Sequence, residues 1–228
     1  MTTTAWRCPA TEAPVYVVHN SISQEYADNL IKTFASKTQK GTHQKATPSE
    51  DKKGAPKLEM TTDENIRRSG VCFFNDPDLS QINANQMILA NWHMGLRWKI
   101  RGAEQFQFTS YNASEKGHYN WHTDGSQDHV AARMPIFEQP TCITETNDAS
   151  LAGTVRKISC SIVLNDDYEG GELGFRWFDD KEEPSIKYVK PKALDCIFFP
   201  ANLCHKVAPV TKGTRYSVVR WYAGPPLV

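Results

Sequence analysis

The sequence predicts a mainly β fold with supporting N-terminal helices, arranged as a β-sandwich or jelly roll. Three observations carry this. From about Gln105 onward, short segments alternate apolar and polar residues with period two. No helical segments separate them, and turns rich in Gly, Pro and Asn recur at close intervals. Before residue 105 the apolar spacing is helical instead.

The elements follow in order. Ser21-Ile-Ser-Gln24 reads as a capping box, and Ile22, Tyr26, Leu30 and Phe34 recur at spacing four, giving a first helix. Residues 36–57 carry six Lys among Gly, Pro, Thr and Ser, and read as a mobile, solvated loop. Leu79, Ile82, Met87, Leu89, Trp92 and Leu96 suggest a second, more weakly periodic helix over 78–97. Strands are then expected at 105–111, 158–164, 173–177, 196–199 and 214–222. In the second of these, Ile158, Cys160, Ile162 and Leu164 share a face. The polar stretch 126–155 interrupts the strands. A loop of that length in a compact domain is commonly functional, and its place suits a lid.

Composition bounds the function. The length of 228 residues suits a single domain over 1–228, with support in 1–104 and a jelly-roll core in 105–228. Lys plus Arg equals Asp plus Glu, so no basic footprint for nucleic acid exists. No run of 18 apolar residues is present, which excludes a helical membrane span. Residues 1–10 lack the apolar stretch of a secretory signal. Six Cys with no C-x-x-C pair then read as free thiols in a reducing, cytoplasmic setting. The oligomeric state is not legible.

The chemistry begins with His122-Thr-Asp124. Roughly 0.8 His-x-acid matches are expected by chance in a chain with seven His and 26 acidic residues, and one is found. The pair gains meaning from its company. Residues two apart on a strand or its extended end leave the same face, so one strand can present two metal ligands. His205 follows just after Phe198-Phe199-Pro200, near the end of another strand. Two imidazoles and one carboxylate are the ligand set of a ferrous site with open positions, and zinc can use similar ligands. Taken singly, each His reads as a surface or hydrogen-bonded core residue.

Arg215 tips the balance. By alternation Arg215, Ser217, Val219 and Trp221 share a face. An Arg pointing into a small barrel is costly unless an anion meets it, and a dicarboxylate could do so in a bidentate pair. Tyr111, on the strand before the metal pair, could complete the anion pocket; alone it reads as a core aromatic.

At these residues the chain from about Gln105 to Tyr222 resembles the iron- and 2-oxoglutarate-dependent oxygenases of the prolyl 4-hydroxylase type, including the PKHD-type hydroxylases. Tyr111 is followed by Tyr119-Asn-Trp-His122-Thr-Asp124, then Leu164-Asn165 and Gly170-Gly-Glu-Leu173. The series ends in His205-Lys-Val-Ala-Pro-Val-Thr-Lys-Gly-Thr-Arg215. One departure is Leu194, where that family often places a turn Gly.

The resemblance implies a double-stranded β-helix holding Fe(II) through His122, Asp124 and His205. It implies 2-oxoglutarate and dioxygen as cosubstrates, with ascorbate as a supporting reductant. Arg215 and Tyr111 would take the 5-carboxylate, aided by Ser217. Tyr119 and Trp221 occupy positions that line the substrate cleft in related prolyl hydroxylases. The presence of Asp124 favours hydroxylation over halogenation. The expected reaction is hydroxylation of an unactivated C–H bond, foremost in a prolyl residue of a peptide or protein, with release of succinate and carbon dioxide. Alternatives are a lysyl, free amino acid or other small-molecule substrate. Oxidative demethylation of nucleic acid is disfavoured by the zero net charge and by Trp221 where that branch has a second Arg. A different class is a non-catalytic jelly-roll binding module.

Overall fold

The computed structural model describes residues 2–7, 14–41, 44–50, 56–125, 151, 153–178 and 184–226. The N-terminal part runs β1 (Thr3–Arg7), β2 (Pro14–Val18), α1 (Gln24–Phe34), β3 (Gln39–Gly41), β4 (Gln44–Glu50), β5 (Pro56–Thr62), β6 (Arg67–Phe74) and α2 (Pro77–His93). It continues with β7 (Gly102–Ala103), β8 (Phe106–Asn112) and β9 (His118–His122). The C-terminal part holds β10 (Val155–Val163), β11 (Glu169–Gly170), β12 (Leu173–Phe178), β13 (Pro184–Val189), β14 (Cys196–Pro200), β15 (Cys204–Val207), β16 (Val210–Lys212) and β17 (Thr214–Gly224).

Among the described residues, 13 of these strands form one curled antiparallel sheet in the order β1-β2-β14-β10-β17-β8-β6-β9-β15-β12-β13, with β3 on β6 and β7 on β17. The curl turns on β6. Gly70–Phe74 pair with β8, whereas Arg67 and Arg68 pair with β9. One strand thus joins a larger layer, β1-β2-β14-β10-β17-β8, to a smaller one, β9-β15-β12-β13. An apolar cluster that includes Tyr111, Val163, Phe175, Ile197 and Phe199 draws on both layers. A second cluster packs α1 and α2 against the larger layer through Leu30, Leu79, Met87, Phe108 and Ile158. Ile158, Cys160, Ile162 and Leu164 all lie in that cluster, as their alternation predicts.

The helices contrast. α1 is amphipathic as expected, but its cap is Ser23, whose side chain accepts from the Tyr26 N–H. Ser21 is not the cap; its N–H and hydroxyl both donate to the Leu194 carbonyl. α2 starts on an Asp76 cap with Pro77 in its first turn and ends at His93, short of the expected 97. Its inner face carries Leu79, Asn83, Gln86, Met87 and Ala90, while Ile82, Leu89 and Trp92 are exposed. Asn83 accepts from the Tyr222 hydroxyl (2.6 Å) and the Cys160 thiol (3.4 Å), and Gln86 donates to the Ser21 carbonyl (2.9 Å). Buried polar pairing therefore replaces apolar periodicity on this helix.

Two expectations need correction. The Lys-rich span 36–57 is not simply a loop: it holds β3, paired to β6, and β4, paired to β5 from Pro56. The N-terminal third likewise is more than helical support, since β1, β2, β3 and β6 all join the main sheet. Composition misses both because a strand is stabilised by its partner's backbone as much as by its own residues. Of the expected lid over 126–155, residues 126–150 lie outside the described residues, and Val155 already belongs to β10. The expected turn Gly is absent at 194, yet Leu194 takes φ 70° there. Its N–H donates to the Val163 carbonyl at 2.7 Å, so the turn is kept without the glycine. Among the described residues no helix is long and apolar enough to cross a membrane.

Candidate active site

β9 and β15 are antiparallel neighbours, and His122 stands opposite His205 in register. Cross-strand partners share a face, and the ring centroids lie 4.2 Å apart. Asp124 follows two residues beyond His122. Its N–H and that of Gly125 both donate to the Ala201 carbonyl (2.9 and 2.8 Å), which ties it to the turn before β15. Asp124 Oδ1 lies 3.6 Å from His122 Nε2, and Oδ2 lies 3.4 Å from His205 Nε2. One ligand atom from each residue falls within 4.8 Å of the others.

Both imidazoles are oriented by the backbone. His122 Nδ1 lies 2.7 Å from the Asn120 carbonyl and His205 Nδ1 lies 2.8 Å from that of Leu203. A carbonyl only accepts, so each Nδ1 carries the proton and each Nε2 presents a lone pair. Burial pushes the Asp124 carboxyl up, but the adjacent His205 and His122 outweigh it and hold it well below the usual carboxylate range. Burial, with His122 alongside, pushes His205 down to about 4, which keeps its lone pair available. Two imidazoles and one ionised carboxylate, all with largely buried side chains, fit a divalent ion of the ferrous type.

The other end of the cleft is built on β8 and β17, where Arg215 stands opposite Tyr111. Arg215 is 1% exposed. Its Nη1 donates to the Ser217 hydroxyl at 2.9 Å, while Nε and Nη2 have no hydrogen-bond partner among the described residues. The guanidinium carbon sits 5.6 Å from the Tyr111 ring centroid. Burial pushes the Tyr111 phenol up, so its hydroxyl keeps its proton and can donate. Gly171, at φ 67°, makes room for this Arg: a Cβ there would stand 3.0 Å from Arg215 Cδ. Two buried donor nitrogens of a fixed cation, left without partners among the described residues, have the chemistry to receive a carboxylate.

Both ends open into one cleft of about 470 Å³. It gathers His122, Asp124, His205, Tyr111, Arg215, Ser217, Tyr119 and Trp221, so each residue singled out from the sequence lines it. Tyr119 stacks on His122 with centroids 3.5 Å apart, and the Arg67 guanidinium carbon lies 4.6 Å from the Tyr119 ring centroid. Trp221 is buried, its indole Nε1 has no hydrogen-bond partner among the described residues, and Arg156 covers its ring at 4.0 Å. Arg156 is held by a two-bond pair with Glu104 at 2.5 and 2.6 Å. A larger cavity of about 610 Å³ lies at the end of α1 around Thr38, Lys40, Glu64 and Arg68, but among the described residues no metal-ligand set converges on it.

Sequence reasoning passed over Arg67, Gln107, Arg156 and Ser159. Ser159 and Gln107 lie on strands that were read, on the face opposite the apolar one, so alternation could have found them. Arg67 lies on β6, a strand the reading did not place; the run Val71-Cys-Phe-Phe74 was its signal.

Residues 106–223 match the family model described as the 2OG-Fe(II) oxygenase superfamily. Among curated proteins, a PKHD-type hydroxylase of Xylella fastidiosa (strain M23) is 32% identical over 114 residues, covering 49% of this chain and 42% of that protein. A PKHD-type hydroxylase of Maricaulis maris is 35% identical over 77 residues, covering 33% of each. The chain thus matches less than half the length of these relatives. Among solved structures, the viral collagen prolyl hydroxylase of Paramecium bursaria Chlorella virus-1 aligns with a TM-score of 0.56 at 16% identity, covering 92% of this chain and 96% of that one. A Pseudomonas putida prolyl-4-hydroxylase aligns at 0.52 and 16%, covering 91% of both. These two likenesses show the jelly-roll fold. With more than half of its residues matched by the family model, the chain belongs to the 2OG-Fe(II) oxygenase superfamily.

Proposed function

We propose that the chain is a 2-oxoglutarate-dependent dioxygenase that hydroxylates a prolyl residue of a peptide or protein. The observation that carries this is the pairing, in one cleft, of a His-Asp-His set with a buried Arg whose Nε and Nη2 lack hydrogen-bond partners among the described residues. His122, Asp124 and His205 would hold Fe(II) through Nε2, a carboxylate oxygen and Nε2. Arg215 would meet the 5-carboxylate of 2-oxoglutarate, with the Ser217 and Tyr111 hydroxyls beside it. When bound, the ferrous ion and keto acid supply the oxidising power: dioxygen is reduced, succinate and carbon dioxide leave, and one oxygen atom enters a C–H bond.

The chain's own residues bind, orient and exclude water. The larger layer supplies the anion end and the smaller layer the two His. Tyr119 and Trp221 line the cleft in which an extended chain would lie. The solved prolyl hydroxylase of Trichoplax adhaerens is in complex with a peptide fragment, and the relatives' printed names are hydroxylases; both support a peptide reading. Free thiols at Cys72, Cys160, Cys196 and Cys204 support a reducing, cytoplasmic setting. Ascorbate is expected to sustain turnover.

The test is turnover of purified protein with Fe(II), 2-oxoglutarate, ascorbate, oxygen and a panel of proline-containing peptides, read by mass spectrometry. A gain of one oxygen on Pro, with matching succinate, is expected. Asp124→Ala is expected to abolish both while the circular dichroism spectrum stays native. Absence of succinate with every peptide, and with free amino acids, would favour a binding module instead.

A further inference from the structure

One contact at the metal end comes from the opposite layer. Ser159 lies on β10, opposite Phe199 of β14 and Trp221 of β17. It is fully buried, and its hydroxyl donates to Asp124 Oδ2 at 2.7 Å. The two ring N–H groups at the site already donate to carbonyls, so the oriented partners are complete except for this carboxylate.

A carboxylate turns about a broad, roughly two-fold terminal torsion. Turned freely, it can offer an ion one oxygen or both. Chelation through both would fill a coordination position that a two-oxygen cosubstrate and dioxygen need. A hydrogen bond to Oδ2 fixes the plane of the group and occupies one of that oxygen's lone pairs. Ser159 is itself clamped by antiparallel strands on both sides, so it supplies a rigid stop. We propose that Ser159 is a positioning residue that holds Asp124 as a one-oxygen ligand and so keeps three positions of the ion open. This rests on the function proposed above. It also explains how the layers are registered: a hydroxyl from the larger layer sets the ligand carried beyond the end of β9.

The experiment uses Mn(II) as the probe ion, with binding read by loss of the free-ion electron paramagnetic resonance signal. Native protein is expected to bind Mn(II), and then 2-oxoglutarate in the absence of oxygen. Ser159→Ala is expected to bind Mn(II) about ten- to a hundredfold more weakly, the usual consequence of losing a hydrogen bond to a metal ligand. Ser159→Thr, which keeps the hydroxyl, is expected to restore binding. Co(II)-loaded Ser159→Ala is expected to show a changed visible absorption, a readout of coordination that a purely structural role would leave alone. If Ala in that buried site prevents folding, Ser159→Cys replaces it, being close in size and a weak donor. A folded Ala or Cys variant with native Mn(II) affinity and a native Co(II) spectrum overturns the proposal. If native protein takes up neither ion, the reading of the whole site fails, not Ser159 alone.

Discussion

Two cations are buried without a full set of partners, and they teach different things. Arg215 is 1% exposed and Lys157 is 2% exposed. Among the described residues, Arg215 keeps two nitrogens without a hydrogen-bond partner, and the Lys157 Nζ has no hydrogen-bond partner either. Lys157 sits beside Arg156 on β10, where the pairing to β17 is bulged, with its Nζ 5.7 Å from the Trp98 ring centroid. Burial pushes it down to about 8. An ammonium can shed its proton when water is scarce, whereas a guanidinium in a protein stays charged. Arg215 therefore needs an anion, while Lys157 has a second way out. Only Arg215 also faces a cleft with a hydroxyl and a phenol beside it. A buried unpaired cation marks a site where it cannot neutralise itself and where other donors converge on the same space.

Substitutions can break or sharpen this contrast. The largest effect is expected from Arg215→Met. The 2-oxoglutarate concentration for half-maximal turnover should rise about ten- to a hundredfold, the worth of about 1.5–3 kcal/mol of charge-assisted hydrogen bonding. An unchanged requirement would show that the 5-carboxylate binds elsewhere.

Lys157→Met comes next. Below pH 8 the folded chain bears the full penalty of a buried ammonium, because both folded and unfolded states hold the proton. Between about 8 and 10.5 the unfolded state binds more protons than the folded one, so native stability rises with pH and the penalty fades. The variant should therefore be more stable than native by about 2–3 kcal/mol at pH 7, the order set by the lowered pKa. That gain should vanish above pH 10.5. Urea unfolding at pH 7 and 10.5 decides it; an equal gain at both values would leave only a packing effect.

Arg215→Lys joins the two cases. A Lys in that site would gain the option of shedding its proton and would lose the planar fork. Affinity for 2-oxoglutarate should fall about tenfold at pH 7, roughly 1.4 kcal/mol, and further as pH rises toward 9. Calorimetric titration of metal-loaded protein at both values tests this, and a pH-independent loss would sink it. The smallest effect is expected at Leu194. Its left-handed backbone costs about 1–2 kcal/mol, but its side chain packs on the core and a Gly would loosen the unfolded chain. Leu194→Gly should move stability by less than about 1 kcal/mol in thermal unfolding.

Much of the site was legible because ligand chemistry needs particular side chains in a particular order. His122, Asp124, His205 and Arg215 could be named before any contact was known. The strand faces were legible too: Ile158, Cys160 and Ile162 fall in the core and Arg215, Ser217 and Trp221 in the cleft. α2 was read poorly for a physical reason. Its buried side carries Asn83 and Gln86, whose partners are Tyr222, Cys160 and Ser21. A polar residue satisfied from 77 positions away looks, in its own window, like a solvent-facing one.

The sequence by itself determined the candidate ligand residues, their order, the alternating faces and the fold class. These depend on backbone period and side-chain identity, which are local properties. Only the tertiary structure decided which imidazole nitrogen faces the cleft, which hydroxyl holds Asp124, that Arg67 and Arg156 line its walls, and that the Lys-rich span carries strands. Each of those depends on a hydrogen bond or a strand partner from another part of the chain, and no local pattern records it.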